Sequence, residues 1–393
     1  MNMQNRYPTL PDFVERRINH FVKDLIEKED NGRNLVLGKK PSSQDIVLQS
    51  NDYLALSTHP KIIDAHVSSL ISRKDTAFMS NVFLHDDGLD KTIEHKLAEF
   101  TGFKSCVVAP SGWIANLGLL QTICDSDTNV YIDFFAHMSM WEGARIAGAN
   151  IHPFMHNNVR HLKRLVKRNG PGVVLIDSIY STLGTVAPLI EIVDAAKELG
   201  CAIVVDESHS LGTHGTHGAG LLESLGISHK VDFMTASLAK TFAYRAGAVW
   251  SNNATGEVMP YVSFPSIFSS AMMACELDRI DATLSVIKES DNARKHLFEC
   301  ADYLVSGLKQ IGFDIRSESQ IIALETGEKT NTRKVRDYLE EHGVYGSVFC
   351  TPATPDNKNI VRLSLNSGIS RDQVNEILNI CESAFNNPEL YFI

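Results

Sequence analysis

Val204-Val205-Asp206-Glu207-Ser208-His209-Ser210-Leu211-Gly212 is the stretch on which the rest of the chain is read. An apolar run ends in an acid, and a histidine follows three residues later in a loop that closes on glycine. Strands of a parallel sheet present ligand-binding groups at their carboxyl ends, so this spacing puts Asp206 and His209 where such a sheet holds its ligand. Taken alone, the segment reads equally well as a surface loop with incidental polar residues. Outward from it the pattern recurs. Cys106–Ala109, Asn129–Ile132, Val173–Asp177, Ala202–Asp206, Phe233–Ala236 and Ala246–Trp250 read as short strands. Helical patterns over Ile114–Ile123, Met140–Ala147, His161–Arg168 and Leu189–Leu199 lie between several of them. Apolar strands alternating with helices mean βαβ units and an α/β fold with a mostly parallel sheet covered on both faces.

The flanks read differently. A helix is predicted over Asp12–Lys28, an extended piece over Ile46–Leu48 and a second helix over Lys61–Ser72. One long helix is predicted from Cys275 to Leu308. Strands near Phe313–Ile315, Ile321–Leu324 and Ile360–Leu365 follow, with helices near Thr332–His342 and Arg371–Ala384. The expected organisation is an N-terminal arm over 1–60, a large cofactor-binding domain over 61–290 and a small α+β C-terminal domain over 291–393.

Composition narrows the function. The 393 residues carry 47 acids against 37 bases, a net charge of -10. Nucleic-acid affinity comes from clustered Lys and Arg, so no nucleic-acid partner is expected. The seven cysteines are scattered and form no C-x-x-C pair. That argues against a disulfide framework or a zinc knuckle and for a reducing cytoplasm. Neither a signal peptide nor an apolar run long enough to span a membrane is read in the chain.

Three further strand ends carry chemistry. In Thr235-Ala236-Ser237-Leu238-Ala239-Lys240, a lysine follows a buried strand amid apolar neighbours. Desolvation lowers a lysine pKa and makes the amine a nucleophile; a snorkelling surface lysine is the bland reading. Pro110-Ser111-Gly112-Trp113-Ile114-Ala115-Asn116 is a strand–turn–helix junction. Gly112 allows close backbone approach there, and the helix start offers unpaired N–H groups to a phosphate. Trp113 by itself is more simply core. Asp133-Phe134-Phe135-Ala136-His137 supplies a flat ring at another strand end. Together these give a phosphate cradle, an aromatic face, an acid, a histidine, a serine and an amine in one row. Pyridoxal 5'-phosphate asks for that set: a lysine for its aldehyde, a carboxylate at its ring nitrogen and donors for its phosphate.

With those residues in view, the chain resembles the fold-type I pyridoxal-phosphate enzymes, and within them the α-oxoamine synthases, from about Asn51 to the last helix. The resemblance implies a homodimer with active sites at the subunit interface. It makes Lys240 the cofactor lysine and Asp206 the partner of the ring nitrogen. His209 would meet the phenolic oxygen and His137 stack on the ring. Ser111, Gly112, Trp113 and Ser237 would hold the phosphate, completed by Ser269 or Ser270 of the neighbouring subunit. Arg362 matches the position that takes an amino-acid carboxylate. Asn51 and Tyr53 match substrate-side positions, and Ser181 lies with them among the cofactor contacts.

Departures from the family pattern cluster where acyl chain and amino acid meet. Ala77–Asp87 replaces a glycine-rich stretch, Asp90 stands in place of a histidine, and Leu183 in place of an acid. Four segments, Leu48–Leu54, Tyr131–Ser139, Asp177–Gly184 and Arg316–Ile322, are similar to a quorum-sensing branch, the α-hydroxyketone autoinducer synthases. That likeness implies condensation of a medium-chain acyl-CoA with S-adenosylmethionine or 2-aminobutyrate to an aminoketone. Competing readings are an aminoketobutyrate CoA ligase or amino-oxononanoate synthase, and a non-catalytic homologue that only binds the cofactor. A metal site at His209, His214 and His217 is disfavoured because His209 has a better role. A hydrolase triad within Asp206–His209 fails because neighbours on one turn cannot reach triad geometry, and no Gly-x-Ser-x-Gly elbow is present.

Overall fold

The strands are β1 (Ile46–Val47), β2 (Ser105–Ala109), β3 (Asn129–Asp133), β4 (Asn150–Phe154), β5 (Val173–Asp177), β6 (Ala202–Asp206), β7 (Phe233–Ser237), β8 (Gly247–Ser251), β9 (Ile321–Gly327), β10 (Val344–Tyr345), β11 (Ser347–Phe349) and β12 (Asn359–Ser364). They belong to a computed structural model that describes residues 10–21, 35–73, 79–84, 88–351 and 353–393. Seven of them form one sheet in the order β2-β8-β7-β6-β5-β3-β4. β8 runs antiparallel to β2 and β7, and the other pairs are parallel. The reversal has a simple cause: the link from Ser237 to Gly247 is too short for a crossover helix, so the chain must turn back. That link carries Lys240.

The six strands expected from the sequence are present, shifted at most by a residue. β4 was not foreseen. Its Pro153 argues against a central strand, and the sheet resolves this by placing β4 at an edge, where a missing N–H costs no ladder bond. The helix Leu89–Thr101 was also unforeseen; its Leu97 carbonyl accepts the indole N–H of the fully buried Trp250 at 3.1 Å. β5 is buried along its whole length, as a strand with helices on both faces must be.

The predicted Cys275–Leu308 helix is two helices, Ala274–Lys288 and Asp291–Ile311. Ser290 leaves helical geometry at φ -96°, ψ 28°, and its hydroxyl donates back to the Val286 carbonyl at 2.6 Å. Each piece follows a different partner: the first packs on Pro60–Arg73, the second on Arg371–Phe385. Phe313–Ile315 is likewise no strand. Its burial comes from Phe313 packing on Phe385 and Phe392.

β11, β12 and β9 form a separate antiparallel sheet, and β1 pairs in parallel with β10. The segment after β1 is tied to the end of β12: Ser364 N–H donates to the Leu48 carbonyl at 2.9 Å, and Ser367 N–H to the Tyr53 carbonyl at 2.8 Å. Those bonds carry Asn51 and Tyr53 to Arg362. The N-terminal helix is Asp12–Phe21; the remainder of the predicted Asp12–Lys28 helix lies outside the described residues. So do Ala77, Phe78 and His85–Asp87 of the departing stretch. Among the described residues, no helix is long and apolar enough to cross a membrane.

Candidate active site

The carboxyl ends of β3, β5, β6 and β7 converge on a cavity of about 220 Å³. It is lined by Ser111, Gly112, Trp113, Asn116, His137, Ser139, Asp177, Asp206, Ser208, His209, Ser237 and Lys240. Eight residues singled out from the sequence thus share one space, Asp206, His209, Lys240 and His137 among them.

Asp206 closes the deep end. Its Oδ2 accepts from Asn116 Nδ2 at 2.8 Å and from Thr235 Oγ1 at 3.1 Å, while Oδ1 accepts the Ser208 N–H at 2.9 Å. A buried acid held by three donors keeps a fixed direction. His137 caps the helix Met138–Ile146, with Nδ1 2.7 Å from Ser139 Oγ, and its ring meets Trp113 edge-on at 80°. Ser139 Oγ also accepts from Asn116 Nδ2 at 2.9 Å. One asparagine therefore ties the ring-side histidine to the acid.

The other end is built for an anion. Ser111 caps the helix Gly112–Ile123 by accepting the Ile114 N–H at 3.2 Å, which leaves the first N–H groups of that helix for a ligand. A Cβ on Gly112 would stand 2.5 Å from Ser237 Cβ, so glycine alone lets the helix start reach the β7 end. Ser237 is held there by its N–H, which donates to Ser208 Oγ at 2.7 Å.

Electrostatics follow from burial. The Lys240 amine is pushed below its ordinary pKa by burial first and by Arg362 second, with Asp206 opposing. Burial, then Lys240, Arg362 and His137, hold His209 well below the ordinary histidine value. Asp177 is driven well above the carboxylate range by burial and by Asp206; its Oδ1 accepts the His137 N–H at 3.2 Å.

Arg362 stands beside this cavity on β12. Its Nη1 donates to the Ser181 carbonyl at 2.8 Å and Nη2 to Asn51 Oδ1 at 3.1 Å, and its guanidinium lies 4.6 Å over the Phe349 ring. Burial lowers its pKa, and Nε has no hydrogen-bond partner. Ser181 thus meets Arg362 through its backbone. Tyr53 Oη lies 2.6 Å from His209 Nδ1 and 3.2 Å from Asn51 Oδ1, linking Arg362 to the cavity. Ser269 and Ser270 do not line the cavity: Ser269 Oγ donates to the Pro265 carbonyl at 2.6 Å, and Ser270 pairs with Ser80.

Asn116, Ser139, Thr235, Ser208 and Asp177 were missed in the sequence. Asn116 was findable, since it falls one turn after Gly112 on the same helix face. Thr235 and Asp177 come from the strands on either side of β6, which no spacing reveals, while Ser139 and Ser208 stand two residues from His137 and Asp206. A second cavity of about 370 Å³ adjoins at His137; Phe134, Phe135, Met138, Trp141 and Phe349 line it, with Arg145 also present. Among the described residues, no cluster of His, Cys, Asp and Glu could hold a metal ion.

The cavity offers a buried acid, a lowered amine, a helix start freed by glycine and a histidine face, which fit pyridoxal phosphate group by group. Residues 43–380 match the family described as aminotransferase class I and II. The chain is 53% identical over 383 residues to the CAI-1 autoinducer synthase of Vibrio campbellii, covering 98% of each. It is 30% identical over 338 residues to the serine palmitoyltransferase of Caulobacter vibrioides, covering 85% of this chain and 84% of the other. The 8-amino-7-oxononanoate synthase of Coprothermobacter proteolyticus is 26% identical over 91% of this chain and 95% of its own. Among solved structures, the Sphingomonas wittichii serine palmitoyltransferase superposes with a TM-score of 0.82 at 26% identity, covering 94% and 96% of the two chains. The S. paucimobilis serine palmitoyltransferase with bound pyridoxal phosphate and myriocin shares the fold with a TM-score of 0.83 at 24% identity, over 94% and 96%. The chain belongs to the aminotransferase class I and II family, as a pyridoxal-phosphate-dependent α-oxoamine synthase.

Proposed function

We propose that this enzyme joins a medium-chain acyl-CoA to S-adenosylmethionine or 2-aminobutyrate. It would release CoA and carbon dioxide and leave an aminoketone, the precursor of an α-hydroxyketone autoinducer. The observation that carries this reading is the 53% identity over 98% of both chains with an autoinducer synthase, against 30% or less for the other relatives named above.

Bound pyridoxal phosphate supplies an electron sink for negative charge at the donor's α-carbon. The residues of this chain do the rest. Gly112, Trp113, Ser111 and Ser237 hold the phosphate, and the N–H groups of the helix start do most of the binding. Asp206 keeps a proton on the ring nitrogen, aimed by Asn116 and Thr235. His137 covers the ring. His209 hydrogen-bonds the phenolic oxygen. Arg362, with Asn51 beside it, turns the donor's carboxylate toward the cavity, and its unpartnered Nε leaves a donor free for that task. Lys240 takes the α-proton, a step that needs a neutral amine and so benefits from the lowering by burial. The adjoining cavity beside His137 is where we place the acyl thioester.

We further read the molecule as a cytoplasmic homodimer divided at 1–60, 61–290 and 291–393. Phe264 and Phe268 are 61% and 78% exposed beside Ser269 and Ser270, which supports a partner covering that face. The break at Ser290 supports the second boundary.

Mass spectrometry of products from the purified holoenzyme, offered mixed acyl-CoAs with each donor in turn, tests the reading. Medium-chain aminoketones from S-adenosylmethionine or 2-aminobutyrate are expected. Turnover confined to serine, alanine or glycine would sink the assignment in favour of another α-oxoamine synthase. Lys240→Ala should abolish turnover, and wild-type rates in that variant would remove Lys240 from the mechanism.

A further inference from the structure

Three buried acids stand at neighbouring strand ends of the large sheet: Asp206 on β6, Asp177 on β5 and Asp133 on β3. β5 lies between the other two strands, and Asp177 pairs in register with Asp206. Residues in register on adjacent strands point to the same face, with the backbones about 4.8 Å apart. Asp206 and Asp177 accordingly both line the cavity. Their partners differ. Asp206 accepts from Asn116, Thr235 and the Ser208 N–H. Asp133 accepts the Phe135 N–H at 2.9 Å and the Asn157 N–H at 2.8 Å, with His156 Nδ1 at 3.0 Å. Among the described residues, the His137 N–H at 3.2 Å is the only donor to the Asp177 carboxyl. Adjacent buried carboxyls do not all ionise, and those with more donors keep the charge. The proton therefore falls to Asp177, and since Oδ1 accepts from His137 it belongs on Oδ2. Burial and the charge of Asp206 act in the same direction, driving this carboxyl well above its ordinary pKa.

We propose that Asp177 is a positioning residue that works in its protonated form. Its Oδ1 sets the backbone of His137, whose ring covers the cofactor, and its neutrality leaves Asp206 the one charged carboxyl lining the cavity. This rests on the reading of Asp206 as the partner of the ring nitrogen. A second carboxylate there would raise the Lys240 amine, which Asp206 already opposes lowering, and proton removal needs that amine neutral. The protonated acid also gives a ligand in the cavity an O–H donor where a carboxylate could only accept. The titratable groups around it are Asp206, Asp133 with His156 against it, and Tyr180 just beyond β5. His137, His209 and Lys240 complete the set about the cavity, with Arg362 acting on the last two.

Infrared difference spectra at neutral pH, on apoenzyme and holoenzyme, read the proton directly. Subtracting Asp177→Asn from wild type should leave the carbonyl band of a protonated carboxyl, shifted in heavy water. Glu94 and Glu207, also raised by burial, are kept in both proteins, so their bands cancel. A carboxylate band in place of the protonated one overturns the proposal. Asp177→Asn keeps the acceptor for His137 and, on this proposal, removes no charge. The pH midpoint of the bound cofactor's visible absorption should then stay at the wild-type value. A lowered midpoint would mean that an anion had been removed, and also overturns it. Asp177→Ala loses the acceptor: its cofactor dissociation constant should rise about tenfold, and Asp177→Asn should restore most of that loss. Wild-type affinity in Asp177→Ala overturns the positioning role. Asp206→Asn tests the underlying reading. An unshifted midpoint in that variant sinks the ring-nitrogen role of Asp206, while the protonation of Asp177 stands on the apoenzyme band.

Discussion

Gly112 sits so close to Ser237 that a Cβ on it would lie 2.5 Å from Ser237 Cβ and 2.7 Å from its Cα. Gly247, the partner of Ser237 across β7 and β8, is as close: a Cβ on it would lie 2.4 Å from Gly112 N. The helix start lies directly against the paired ends of β7 and β8, and glycine at both 112 and 247 allows that approach. Contacts under 3 Å to backbone cannot be relieved by rotating a side chain.

Gly112→Ala should therefore push the helix start off β7 and open the anion cradle. Cofactor retention, read by equilibrium dialysis against pyridoxal phosphate, should weaken by roughly tenfold or more, the factor that about 1.4 kcal/mol of lost interaction gives. The melting temperature of the apoenzyme should fall only modestly. Undiminished cofactor affinity in a folded variant would remove Gly112 from the phosphate site.

Asn116 makes a second prediction. Its amide bonds Asp206 Oδ2 at 2.8 Å and Ser139 Oγ at 2.9 Å. Asn116→Leu has similar bulk but no donor. Leaving a buried group short of a partner costs about 1–3 kcal/mol. Turnover number should fall by about tenfold or more, since 1.36 kcal/mol in the barrier is one decade. Asn116→Asp should be worse than Asn116→Leu, because it faces Asp206 with a like charge. Wild-type turnover numbers in both variants would show that Asp206 does not depend on this contact.

The strand ends were legible because burial, the acid-then-histidine spacing and the glycine at 112 are local facts. What escaped was set by distant segments. β4 contains Pro153 and is a strand only because it lies at the sheet edge. The predicted 275–308 helix is continuous in propensity, yet the two halves pack on helices far apart in sequence. The link from Arg362 through Asn51 and Tyr53 to His209 spans 311 positions between Asn51 and Arg362. It exists because Ser364 and Ser367 bond the backbone at Leu48 and Tyr53. Residue type announces such a partner; only the fold brings it into reach.

Arg362→Lys keeps the charge and loses the planar fork. Lysine's three donors sit on one compact nitrogen, which cannot span the Ser181 carbonyl, Asn51 and a carboxylate as the two guanidinium nitrogens and Nε do. The Michaelis constant for the amino donor should rise at least tenfold, with a smaller effect on the constant for acyl-CoA. Equal changes for both substrates, measured by steady-state kinetics, would mean that Arg362 is structural.

The last prediction concerns Glu207, next to Asp206 yet outside the cavity lining. Its side chain is fully buried; Oε1 accepts the Leu222 N–H at 2.8 Å, and Oε2 has no partner. Burial pushes its pKa from 4.5 to about 8, against the bond from Leu222. Between those two values the folded chain keeps a proton that the unfolded chain has released. The stability this group contributes is thus complete below about pH 4.5 and declines as pH rises. Above about pH 8 it is gone. At about 1.36 kcal/mol per pH unit, the total is several kcal/mol. Glu207→Gln is neutral at every pH and keeps the acceptor for Leu222. It should match the wild type near pH 5 and melt at a higher temperature than wild type near pH 9. Parallel melting curves for the two proteins across that range would mean that Glu207 is ionised in the fold.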